Sequence, residues 1–124
     1  MEKRFEESQE RAKRIIIELT RLTITGKAKW WRQKQHPQCL YCFVNSEIFV
    51  FDTHDEDGHI NKQMGGVSLE IRNRSFLWLT DLEGWDDVIN LLLQGSRNMI
   101  DSEEYGRLIR QCDPKILQDL ETTI

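Results

Sequence analysis

The 124-residue chain carries 17 basic and 21 acidic residues, a formal net charge of −4, with 39% hydrophobic and 31% charged residues. This is the composition of an ordinary soluble chain, and residues 1–124 are long enough for one domain with a modest core. No apolar run reaches the roughly 20 residues of a membrane span.

Residues 2–22 read as a helix. Phe5, Ala12 and Leu19 recur every seven positions, Ile15 and Leu22 fall on the same side, and Ile16 and Ile17 widen the stripe enough to pack on a sheet. Thr23 and Thr25 have poor helix propensity, and Gly26 is a natural stop. Lys27–Lys34 then reads as a strand, ended by His36-Pro37 because proline offers no ladder donor. Cys39–Phe51 has the composition of a hairpin turning at Asn45-Ser46. Leu40, Cys42 and Val44 face one way, with Tyr41 and Phe43 opposite; Ile48 and Val50 oppose Phe49 and Phe51. Both faces of that hairpin are apolar, so both require cover.

Asp52–Met64 is polar and holds Asp55-Glu56-Asp57-Gly58, a turn or longer loop. Val67–Arg72 alternates cleanly, and Asn73-Arg74 turns into a last strand at Phe76–Leu79. Beyond Asp81–Gly84, the residues Trp85, Val88, Ile89 and Leu92 mark a helix with Gly95 as its stop. Asp101 and Glu104 have capping-box spacing for a helix over Ser102–Cys112, and Asp113-Pro114 starts a last one through Leu120. The expected fold is α+β: an antiparallel β-meander of about five strands, an N-terminal helix, and two to three C-terminal helices.

Three cysteines, an odd number, argue against a disulfide framework, and residues 1–7 lack the apolar core of a signal peptide, so the cytoplasm is the expected location. Charge is divided unevenly along the chain. Residues 11–36 carry eight basic groups against Glu18 alone, whereas residues 37–124 carry seven basic and sixteen acidic groups. Such a layout suits an anionic partner at one end and a basic one at the other, unless the halves neutralise each other on folding.

Within the basic segment, Trp30 and Trp31 among Lys27, Lys29 and Arg32 combine aromatic platforms with cations, the equipment for single-stranded nucleic acid or for a protein partner. The acidic remainder weighs against a general nucleic-acid binder. Cys39-x2-Cys42-x11-His54-x4-His59 falls one residue short of a two-cysteine, two-histidine zinc spacing. Strand geometry opposes it, because residues three apart on a strand point to opposite faces. Aligning Gly58 with the invariant glycine of a calcium loop puts Thr53 and Met64 where carboxylates belong, so a solvated turn is the simpler reading. Asp86-Asp87 suit a helix N-terminus. No nucleophile–base pair or phosphate loop is recognisable, so no catalytic residue and no cofactor is assigned.

The run Leu22-Thr23-Ile24-Thr25-Gly26-Lys27-Ala28-Lys29-Trp30, after a leading helix and before a meander, resembles small uncharacterised bacterial proteins with a Thr-x-x-Gly-Lys-x-x-Trp start to the sheet. The likeness spans residues 15–95. It implies a fold and carries over no site residues; accessory, inhibitor or immunity-type roles are common among such proteins. The sequence reading is therefore a non-enzymatic interaction module. It would dock on a protein partner or a second copy through a surplus of apolar surface at Trp30, Trp31, Trp78, Trp85 and Ile15–Ile17. The alternatives are a nucleic-acid binder using residues 11–36 and a small zinc-stabilised domain.

Overall fold

The computed structural model describes residues 2–45, 47–55, 57, 59, 66–71, 75–79 and 84–112, with 2–8, 75–78 and 112 described by backbone alone. Its elements are α1 (Glu2–Ile24), β1 (Lys29–Arg32), β2 (Cys39–Val44), β3 (Glu47–Asp52), β4 (Ser68–Ile71), β5 (Ser75–Trp78), α2 (Trp85–Arg97) and α3 (Ser102–Cys112). The strands form one antiparallel sheet in the order β1-β2-β3-β4-β5, so each pairs with its sequence neighbour. The α+β class, the N-terminal helix and the pair of C-terminal helices agree with the sequence. The expected helix from Pro114 and the turn at Asn73-Arg74 lie outside the described residues.

Helix α1 ends as Gly26 dictates. Gly26 sits at φ 77, its N–H reaches the Thr23 carbonyl at 3.2 Å, and the Lys27 N–H reaches that of Leu22 at 2.8 Å. Those two bonds close a left-handed helix cap. Thr23 turns out to be part of the helix: it is buried, and its hydroxyl donates to the Leu19 carbonyl at 2.7 Å. The β2–β3 hairpin turns in two residues, with Val44 opposite Glu47 and Asn45 at φ 56, the left-handed conformation that such a turn demands. Strand β1 is shorter than the expected Lys27–Lys34 run.

Register assigns the two sheet faces. Trp30, Leu40, Cys42, Phe49, Phe51, Leu69 and Ile71 form one core with Ala12, Ile16 and Leu19 of α1 and Val88, Leu91 and Leu92 of α2. Trp31, Tyr41, Phe43 and Ile48 form a second core on the other face, closed by Ile109 of α3. Helices thus cover both faces of the hairpin. Ile17, expected in the α1 stripe, is instead 64% exposed, because Ala12, Ile16, Leu19 and Thr23 already complete the buried helical face.

Trp30 ties the layers together. It is fully buried, stacks on Phe51 at 5.5 Å between centroids, and donates its indole N–H to the Thr23 hydroxyl at 3.0 Å. Its own carbonyl accepts the Ile100 N–H at 2.9 Å, and Met99 forms a parallel bridge beside it. The α2–α3 link therefore runs along the open edge of β1 and carries the chain from one face to the other. Asp101 then caps α3, its carboxylate accepting the Glu104 N–H at 2.8 Å.

Gly95 lies inside α2, not at its end. A Cβ there would sit 2.4 Å from Trp30 Cδ2, so only a glycine lets the helix approach the indole. Gly106, within α3, has nothing within 4 Å of the same position. The two glycines should answer alanine with opposite signs in urea denaturation. Gly106→Ala should stabilise by about 0.5–1 kcal/mol through helix propensity, and Gly95→Ala should destabilise by about 1–3 kcal/mol or more through overpacking.

Candidate functional site

Both tryptophans of the basic segment leave the surface. Trp30 is the hub just described, and Trp31 is 9% exposed, stacked on Tyr105 at 4.4 Å and 11° between planes. Tyr105 is also 6.0 Å from Phe43 and 6.3 Å from Tyr41, so α3 presses one ring into an aromatic triad on the sheet. The expectation of Trp30 and Trp31 as stacking platforms or partner anchors is corrected: burial leaves neither face open to a base or a docking protein. Arg32 is engaged as well, donating to the Pro37 carbonyl at 2.6 Å and to the Ser96 hydroxyl at 3.4 Å. Lys27 and Lys29 remain exposed. Trp85 is partly buried against the first core, and the side chain of Trp78 lies outside the described residues.

The four proposed zinc ligands do not converge. Cys42 is buried among the α1–α2 core and Cys39 belongs to the α3 side, as the alternation of a strand requires. His54 Nε2 is 2.8 Å from the Ser68 hydroxyl, whereas the imidazole of His59, 74% exposed, lies 3.6 Å from the Asp55 carboxylate. Among the described residues the one metal-compatible cluster is Asp55, Asp57 and His59, with ligand atoms within 4.8 Å of one another. Asp55 accepts the Asp57 backbone N–H at 2.9 Å, which makes the cluster a self-bonded turn.

Neither described cysteine is primed for chemistry. Burial, helped by the charges of Asp52 and Glu70, pushes the Cys39 thiol up to about 11. Burial raises Cys42 well beyond the usual thiol range. Reactive cysteines need the opposite environment.

The structure opens a site elsewhere. A groove of about 550 Å³ runs between α1 and the β2–β3 hairpin, and its lining comes from those two units alone. Ile15, Leu19, Leu22, Val44 and Phe49 give it apolar walls; Arg11, Arg14, Glu18 and Glu47 stand among them. Its volume falls within the roughly 300–1,000 Å³ of ordinary ligand sites. Ile15 and Leu22 sit on the flank of the α1 stripe, rotated away from Ala12 and Ile16, so they only half-bury. Val44 is at the hairpin end, in the last strand pair, opposite Glu47. Glu18 is held by Arg21 through two contacts, one at 3.2 Å from Nε, and that hydrogen bond first and the Arg21 charge next hold its carboxyl below the usual range.

The sequence reading missed this groove. The signal was present in Ile15 and Leu22, seven residues apart on the edge of the stripe, but nothing in the sequence placed them over the hairpin end. No helix among the described residues is long and apolar enough to cross a membrane. No protein-family profile, curated protein or solved structure matches the chain.

The buried acids give a pH test. The Cys39 and Cys42 thiols and the Tyr105 phenol all hold their protons to higher pH in the folded chain, each chiefly through burial. Unfolding therefore releases protons in alkaline solution. The Cys39 share of that stability is fully present below pH 9.0, the ordinary thiol value, and is lost as pH climbs through about 11, while the Cys42 and Tyr105 shares are lost over a range that extends higher. The urea midpoint should fall between about pH 8 and about pH 10.5, and Tyr105→Phe should shrink that fall.

Proposed function

We propose that this chain is a non-enzymatic interaction module that docks a protein partner through the groove between α1 and the β2–β3 hairpin. One observation carries the reading: an open, apolar-walled groove on a scaffold whose two cores are otherwise closed by helices. Apolar surface left in a rimmed depression favours a partner that buries it. Two-turn separation of Ile15 and Leu22, about 10 Å along the helix, suits a docked helix or strand of a few residues. An accessory or inhibitor role fits such a surface, because one face binds while the remainder serves as support.

The exposed Lys27 and Lys29 remain as cations for the nucleic-acid alternative, but with both tryptophans buried no stacking platform accompanies them. The groove is the better-supported surface.

Display of a random-peptide library against the purified chain tests the reading. Selected peptides should bind in fluorescence anisotropy and lose at least about tenfold in affinity, or about 1.4 kcal/mol, on Ile15→Glu, with the melting temperature close to that of the parent because Ile15 is only half-buried. A library that yields no peptide sensitive to Ile15→Glu removes the reading.

A further inference from the structure

The docking groove has an electrostatic bias that names the chemistry of its occupant. Arg11 and Arg14 line it, both are exposed, and among the described residues neither side chain takes part in an ion pair or hydrogen bond. Glu18, which shares the same helix wall, is neutralised by Arg21. Lys13, on the neighbouring turn, has its own acid in Glu10 at 3.9 Å. Among the described residues, two guanidiniums thus stand without an acidic partner beside apolar walls of Ile15, Leu19 and Leu22. Arginine is the residue best suited to hold a carboxylate, through paired N–H donors in a fixed plane.

Resting on the docking function proposed above, we infer that the groove takes an acidic amphipathic protein segment: large apolar side chains at helical spacing, with carboxylates at the end that meets Arg11 and Arg14. Burial of the apolar side chains supplies the affinity. The arginines set the direction of the segment and reject a basic one. Contacts of this kind raise the association rate and fade with salt.

The spacing is specific. Arg11 and Arg14 are three residues apart and so share one helical face, and Arg14 directly precedes Ile15. A partner carrying two acids one turn apart, followed by leucines three and four residues on, matches that order.

The test uses two labelled peptides of about 15 residues, long enough to form helix on docking. Both carry leucine at i, i+3, i+4 and i+7; one bears glutamates at one end of its polar face and the other bears lysines there. Fluorescence anisotropy at low salt should show the glutamate peptide binding at least about tenfold tighter than the lysine peptide. The preference should shrink as salt rises, and the double variant Arg11→Glu/Arg14→Glu should reverse it. These are surface changes, and a melting curve confirms the fold of the variant. Equal binding of both peptides, each abolished by Ile15→Glu, keeps the docking function and overturns the acidic preference. No binding of either peptide, with sedimentation showing a dimer that Ile15→Glu dissociates, assigns the groove to a second copy and overturns the inference. Saturable binding of a medium-chain fatty acid, with neither peptide bound, assigns it to a small amphiphile and overturns both.

Discussion

The contact between Trp30 and Gly95 sets the geometry of this domain. An indole lying flat against a helix backbone allows α2 to sit closer to the sheet than any side chain would permit. That one approach fixes three things together. It buries the largest side chain in the first core, whose area alone is worth about 4–6 kcal/mol at 25 cal/mol per Å² for an aromatic side chain. It aims the Trp30 N–H at Thr23, pinning the last turn of α1. It also leaves the Trp30 carbonyl at the sheet edge, where Ile100 pairs with it. The α1 end, the α2 packing and the α2–α3 crossing all depend on residue 30.

The crossing resolves the question that the two-sided hairpin poses. A meander apolar on both faces needs helices above and below, yet α1 and α2 share a face. Cover for the other face comes from leading the chain round the β1 edge. Met99 and Ile100 run beside Trp30, Asp101 caps the next helix, and Ile109 with Tyr105 closes over Trp31 and Phe43. The same link gives β1 a backbone partner on its outer side, the kind of protection an exposed edge strand requires. Residues 98–101 thus do two tasks that the sequence shows only as a break between helices.

Local chemistry was legible where a single residue determines it. Gly26 ends α1, Asn45 makes the hairpin turn, and Asp101 caps α3 because each conformation or hydrogen bond involves neighbours a few residues away. Strand alternation also separated Leu40 and Cys42 from Tyr41 and Phe43, which was enough to doubt Cys39 and Cys42 as joint ligands. What failed was tertiary. Gly95 reads as a helix stop because its reason for being glycine lies 65 positions away in Trp30. Trp30 and Trp31 read as a strand pair with one indole in the core and one open to a partner, because their covers, α2 and α3, come from the far end of the chain. Ile17 reads as core because helix periodicity gives the width of a stripe, while packing decides which edge of it is used.

The groove follows from that last point. The buried face of α1 is centred on Ala12, Ile16, Leu19 and Thr23, and its axis is held at the C-terminal end by the Thr23–Trp30 bond. Ile15 and Leu22 are then rotated off the sheet toward the hairpin end, where the last paired residues, Val44 and Glu47, leave no further strand to meet them. To close the gap, α1 would have to roll toward the hairpin. Such a roll would pull Thr23 from the indole and lift Ala12 and Ile16 from the core. The packing that secures Trp30 therefore holds the groove open. A depression maintained by the core is preorganised, so a partner that fills it does not also bear the cost of shaping it.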